Sequence, residues 1–303
     1  MADAGPGQVQ PSWNLVSDWR QLFAFHFMLN AYLAGTLIAL VAGAVGYFMV
    51  LRRQSFAGHT LANVGFTGAA GAALVGASPV LGLTVFCVAA ALGFGLLTGR
   101  RSVMAGSAMV AVATVHTFSL GLGLLFEQWY SHYAAAIYAL LFGAVLGISD
   151  NDVRLVAGTA VVTLTVLVGI ARPLFFASVD PLVAQTRGVP VLALAHLFLV
   201  LLALAVAEAV QVVGVLLIFS LLVTPAAIAQ RLTARPSAAL ALAVGLALLF
   251  TWLGLAVAYF TAYPVGFFIS SFAFGTYVVV RLVSGRWRRP SLRTGAVRAG
   301  DLT

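Results

Sequence analysis

The chain has 303 residues, 62% of them apolar and 8% charged, with a mean hydropathy of +1.06. A soluble domain averages about 25% charged residues, so this composition excludes one and reads as an all-α, integral membrane protein. The net charge of +8 rests on 16 arginines and no lysine; they fall between apolar runs, where the positive-inside rule explains them and binding to nucleic acid does not.

Residues 1–24 form a polar, Gly/Pro-containing tail that ends in Trp13, Trp19 and Phe23, an interfacial patch. The tail has no basic start and the apolar run after it is too long for a signal peptide. The first span is His26–Leu51, ended by Arg52-Arg53. Phe56–Ala77 follows, broken by Ser78-Pro79; then come Val80–Thr98, closed by Gly99-Arg100-Arg101, and Val103–Phe126, which meets the wet segment EQWYSHY. Each is near the ~20 residues that a crossing helix needs. The single Cys87 lies within the third run, which excludes a disulfide within the chain and any Cys-based zinc site.

Ala134–Ile148 is short for a span and suits a re-entrant half-helix, ending in the acidic turn Ser149-Asp150-Asn151-Asp152. After it come Val153–Ala171, Val191–Ala207, Val210–Ala229, Ala238–Thr261 and Val265–Val283. With Ala134–Ile148 not crossing, the chain has about nine transmembrane helices, and 14 of the 16 arginines fall on one side, with only Arg20 and Arg154 opposite. That bias makes the arginine side cytoplasmic, with the N-terminus outside and the C-terminus inside. Residues 25–285 are then the transmembrane domain, and 286–303 a basic cytoplasmic tail. The spans are rich in Gly and Ala, which lets helices approach closely in lipid.

Between two of the spans lies Arg172 to Pro190, RPLFFASVDPLVAQTRGVP. It opens with an Arg-Pro stop, carries an N-cap and first-turn proline in Asp180-Pro181, and ends in Gly188-Val189-Pro190. The pattern predicts a short capped helix of two or three turns on the cytoplasmic side. It is either an amphipathic connector on the lipid surface or a docking element for a soluble partner.

Polar groups within the spans are few, so each is a functional candidate. His116 sits midway along the fourth span, His26 begins the first and His196 is early in the sixth. His132 and Glu127 lie in the segment after the fourth. Glu208 is placed near the outer end of the sixth span, at the interface. Asp150 and Asp152 form an acidic lip or end a half-helix. For any one histidine, a satisfied structural role is the alternative to ligation. No phosphate-loop pattern occurs, and there is no lysine to build one.

Four blocks carry a resemblance: FMLNAYLAG…VLRRQSFAGHTLANVGFTGAA, LLFGAVLGIS, RPLFFASVDPLVAQTRGVPV and QVVGVLLIFSLLVTPAAIAQRL. In this order they resemble the membrane permease subunit of the ABC-type divalent-metal importers, which take up zinc, manganese or iron. The resemblance implies no cofactor on this chain and a homodimeric or pseudo-dimeric permease. Its partners would be two copies of an ATP-hydrolysing subunit and an extracytoplasmic metal-binding receptor. It also implies that Asp180, Pro181, Gly188 and Pro190 belong to the loop that docks on the ATPase.

The family's usual Asp and His, four residues apart after Arg-Arg, are here His59 and Asn63. One helical face therefore presents an imidazole and an amide in place of a carboxylate and an imidazole. His59, Asn63 and His116 are the expected contacts of the transported ion, and the ion is expected to pass between two copies of the Phe56–Ala77 helix. An imidazole suits zinc better than manganese, so zinc is the expected cargo, with manganese and iron as alternatives. An ATP-independent secondary transporter or channel is the competing class. It would call for buried acidic groups or broken helices for ion coupling, and it would need no docking helix.

Overall fold

In a computed structural model, the described residues are 25–97, 107–129, 143, 147–215, 218–261 and 263–287, and they are helical nearly throughout. In chain order the helices are α1 (His26–Leu51), α2 (Ser55–Leu74), α3 (Pro79–Leu97), α4 (Ser107–Trp129), α5 (Asp150–Val179), α6 (Pro181–Thr186), α7 (Val191–Val213), α8 (Ile218–Leu232), α9 (Pro236–Tyr259) and α10 (Val265–Trp287). Among the described residues, six helices (α1, α3, α5, α7, α9 and α10) are long and apolar enough to cross a membrane. Of the other expected spans, α8 has only 15 residues, short of the ~20 a crossing needs. Helix α2 carries glycines, hydroxyls, His59 and Asn63 along its length, and α4 is apolar over Val112–Phe126 among its described residues. Ala134–Ile148 lies almost wholly outside the described residues, as do residues 1–24, Arg100, Arg101 and His132.

The bundle is built around α1. Of its most apolar 18-residue stretch 72% is buried, against 67% for α7 and only 22% for α5 and α10, so α1 and α7 form the interior and the others turn a face outward. Small residues make this packing possible. A Cβ on Gly46 would meet the Leu222 carbonyl oxygen of α8 at 2.1 Å, and one on Gly43 would meet the Val244 Cα of α9 at 2.6 Å. The same holds between α2 and α3, where Gly68 and Gly82 face each other and a Cβ on either would fall within 2.4 Å of the other's carbonyl oxygen.

Polar contacts distinguish the two ends of the bundle. At one end Arg52 donates to the Ser178 hydroxyl at 3.1 Å, Gln230 donates to the Tyr47 carbonyl at 3.1 Å, and Arg231 lies over the Tyr277 ring. At the other, Asp150 accepts from Asn30 at 2.6 Å and pairs with His26 at 2.8 Å, and Phe25 meets Tyr259.

Three element boundaries correct the sequence reading. The acidic turn belongs to the start of the next helix, three residues ahead of the expected Val153: Ser149 caps α5 reciprocally with Asp152, and Asp150 and Asp152 complement the positive end of its dipole. The Arg172-Pro173 pair does not stop α5, which continues through Pro173 to Val179. A proline inside a helix removes one backbone bond, and here Asp180, which leaves the helical region, ends the helix. Finally, α7 runs past Glu208 to Val213, and the break falls at Gly214 with φ 84° and ψ 159°, a conformation open only to glycine. Glu208 is therefore 3% exposed inside the bundle and not at an interface.

Candidate functional site

The turn after α1 is only three residues long, and Arg53 adopts a left-handed φ of 57° there. Gln54 N–H bonds back to the Met49 carbonyl at 2.9 Å, which turns the chain sharply into α2. His59 and Asn63 follow on α2, one turn apart on one face. The Asn63 amide nitrogen donates to the His59 carbonyl at 3.0 Å and lies 3.5 Å from His59 Nε2. With that nitrogen committed, the amide oxygen is the atom Asn63 can offer to a ligand.

His116 comes to this face from α4, its ring centroid 5.4 Å from that of His59. Its Nδ1 is buried with no hydrogen-bond partner among the described residues. Two turns above His59, the Thr67 hydroxyl donates to the Ser119 carbonyl at 2.6 Å, which fixes the height of α4 on α2. Gly123 and Gly71 let the helices close, since a Cβ at either would meet Thr67 or Phe126 at 3.0 Å or less. Phe56 packs on the His116 ring at 5.9 Å, and Phe219 of α8 stands edge-on to His59 at 5.6 Å. Phe219 also lines an open groove of about 460 Å³ between α8 and α10, together with Ser220, Thr224, Ser270 and Tyr277. The histidines therefore adjoin a groove edged by hydroxyls and aromatic rings.

The structure thus brings together His59, Asn63 and His116, the three residues expected to meet the ion. Two imidazoles and an amide oxygen, in a helix face without carboxylates, can hold a divalent first-row ion weakly. Among the described residues no group of three His, Cys, Asp or Glu could hold a metal ion. The other two described histidines do not join this cluster: His26 pairs with Asp150 at the far end of α1, and His196 bonds the Leu192 carbonyl of its own helix and seats against Gly95.

The second candidate element, α6, has the chemistry expected of it but is shorter, with six residues. Asp180 accepts from the Leu182 and Val183 amides at 3.1 and 3.0 Å, Pro181 occupies the first turn, and Gly188 has φ 81°. Pro190 sits at the N-cap position of α7. Leu182 and Val183 are exposed at 59% and 44%, so α6 presents an apolar tip where α5 turns into α7. The sequence reading had no signal for two further groups: Arg52, which reaches back to Ser178 next to this tip, and Phe219, which comes from a helix more than a hundred residues further along the chain.

A family model described as the ABC 3 transport family matches residues 24–284. The chain is 30% identical over 230 residues to the manganese transport system membrane protein MntC of Halalkalibacterium halodurans, covering 76% of this chain and 78% of the relative. It is 33% identical over 237 residues to the manganese import system permease protein ScaB of Streptococcus pneumoniae, covering 78% and 82%. Among solved structures, PsaBC from Streptococcus pneumoniae in complex with Fab superposes with a TM-score of 0.79 at 26% identity, covering 91% of this chain and 98% of that one.

Proposed function

The chain belongs to the ABC 3 transport family, and from that premise we propose that it is the permease subunit of an importer for a divalent transition-metal ion. It would have no cofactor of its own, and ATP would be hydrolysed on partner chains. The observation that carries the reading is the meeting of His59 and Asn63 on α2 with His116 on α4. These are among the few polar side chains that an ion can find in this part of the bundle.

Manganese is the first cargo, in place of the zinc that the histidines alone suggest, because relatives at 30% and 33% identity carry manganese in their names. Zinc is the second reading, for one reason: the cluster offers imidazole nitrogens and lacks the carboxylate oxygens that manganese favours. The complete importer would pair this chain with a second copy, with two ATPase subunits on the arginine-rich side and a metal-binding receptor opposite. The N-terminus would lie outside and the C-terminus inside, as the division of arginines supports.

Proteoliposomes holding the permease, its ATPase and its receptor test the reading by ATP-dependent uptake of manganese and zinc in competition. Uptake of manganese with zinc competing weakly is the expected result. Equal uptake without ATP would instead identify a secondary transporter or channel.

A further inference from the structure

Arg52 ends α1, three residues before α2 begins, yet its side chain is bound elsewhere. Its guanidinium donates to the Ser178 hydroxyl at 3.1 Å and lies over the Phe198 ring of α7 at 5.5 Å. Ser178 in turn donates to the Leu174 carbonyl of its own helix and stands two residues before Asp180, the cap of α6. One side chain therefore touches both helices that flank α6, while its backbone belongs to the turn that launches the helix bearing His59.

We propose that Arg52 is a positioning residue that carries displacement of α6 into α2 and so into the His59–His116 cluster. The proposal rests on reading α6 as the element on which the ATPase acts.

The turn is built to transmit. The left-handed Arg53 and the bond from Gln54 N–H to the Met49 carbonyl leave little slack between Arg52 and α2. Close packing of α2 against Met49 at Gly58 adds to this, because a Cβ there would meet the Met49 sulfur at 2.6 Å. The turn also holds an unmade bond. Arg52 Nε, a donor, and Gln54 Oε1, an acceptor, are both buried with no partner among the described residues. Buried polar groups are ordinarily paired. Two complementary ones left open in one turn favour a second arrangement, in which the guanidinium releases Ser178 and takes Gln54. A guanidinium suits this role because its planar fork bonds and stacks at the same time, which a lysine ammonium does not.

The test uses the full permease–ATPase complex with its receptor in proteoliposomes, measuring manganese taken up and ATP hydrolysed in the same vesicles. In Arg52→Gln the ATPase is expected to stay bound and hydrolyse ATP near the wild-type rate, while manganese moved per ATP falls about tenfold, within the usual range of coupling between two sites. Ser178→Ala is expected to lower the same ratio less, and Arg52→Lys to recover part of it. Spin labels at Thr186 and Val75 supply a reading independent of transport: the distance change on nucleotide trapping is expected in the wild type and lost in Arg52→Gln. An unchanged ratio in Arg52→Gln overturns the proposal. So does a parallel loss of uptake, ATP hydrolysis and thermal stability, which is the mark of a merely structural residue. If the wild-type complex moves no metal but its labels respond to nucleotide, the cargo reading fails and the mechanical one stands. If the wild-type labels do not respond, the mechanical one fails.

Discussion

Asp180 caps α6 through amides two and three residues ahead, whereas His59 meets His116 across 57 residues of chain and a helix–helix interface. In the first region each residue type is dictated by a backbone need close by. A short acceptor must satisfy the first amides of a helix, a proline fits its first turn, and φ of 81° after it calls for glycine. In the second, no local rule asks for histidine. The cluster exists because Thr67, Gly71 and Gly123 set the height and distance between α2 and α4. Damage to the first region should therefore act on coupling and leave metal contact intact, and damage to the second should do the reverse.

The largest effect is expected from His59→Ala. Loss of even outer-shell support commonly lowers metal affinity ~10–100-fold, so loss of a direct contact should cut manganese uptake at least about tenfold. The ATPase should still co-purify and hydrolyse ATP. Wild-type uptake by this variant would mean that His59 only packs between His116 and Phe219, and the contrast between the two regions would collapse.

His59→Asp sharpens the same region. A carboxylate in place of the imidazole should raise the ratio of manganese to zinc taken up in direct competition, because manganese favours oxygen ligands. A ratio that does not move would show that this position does not select the cargo.

Gly188→Val comes next. Forcing a residue with a Cβ into a left-handed conformation costs roughly 1–2 kcal/mol, and a β-branched chain does worse. ATP-driven uptake should fall several-fold while equilibrium binding of metal to the permease, read by calorimetry, stays as in the wild type.

The smallest is Asp180→Ala, which removes the cap of a six-residue helix and costs about 1 kcal/mol. A modest fall in uptake, without loss of the protein from the membrane, is the expected reading. If Asp180→Ala abolishes uptake while Gly188→Val does not disturb it, then α6 is not the coupling element.

Much of this protein was legible in the order of its residues. Helical class, membrane residence, most helix boundaries and the Asp180–Gly188 turn follow from composition, span length and local capping, because such effects act over a few residues. The same local rules misjudged Arg172-Pro173 and Glu208. A proline penalty at one position is smaller than the sum of contacts that keeps α5 helical to Val179. A charged residue also does not end a helix by itself: α7 passes Glu208 and stops at Gly214, six residues later, where the backbone turns to φ 84° and ψ 159°. The sequence offered His116 as a candidate beside His59, but tertiary structure alone decided that their rings meet, that Arg52 reaches Ser178, and that Glu208 is buried. Those outcomes depend on how closely glycines let helix axes approach and at what height the helices pair. Interhelical distance and register are properties of two surfaces together, and neither helix encodes them by itself.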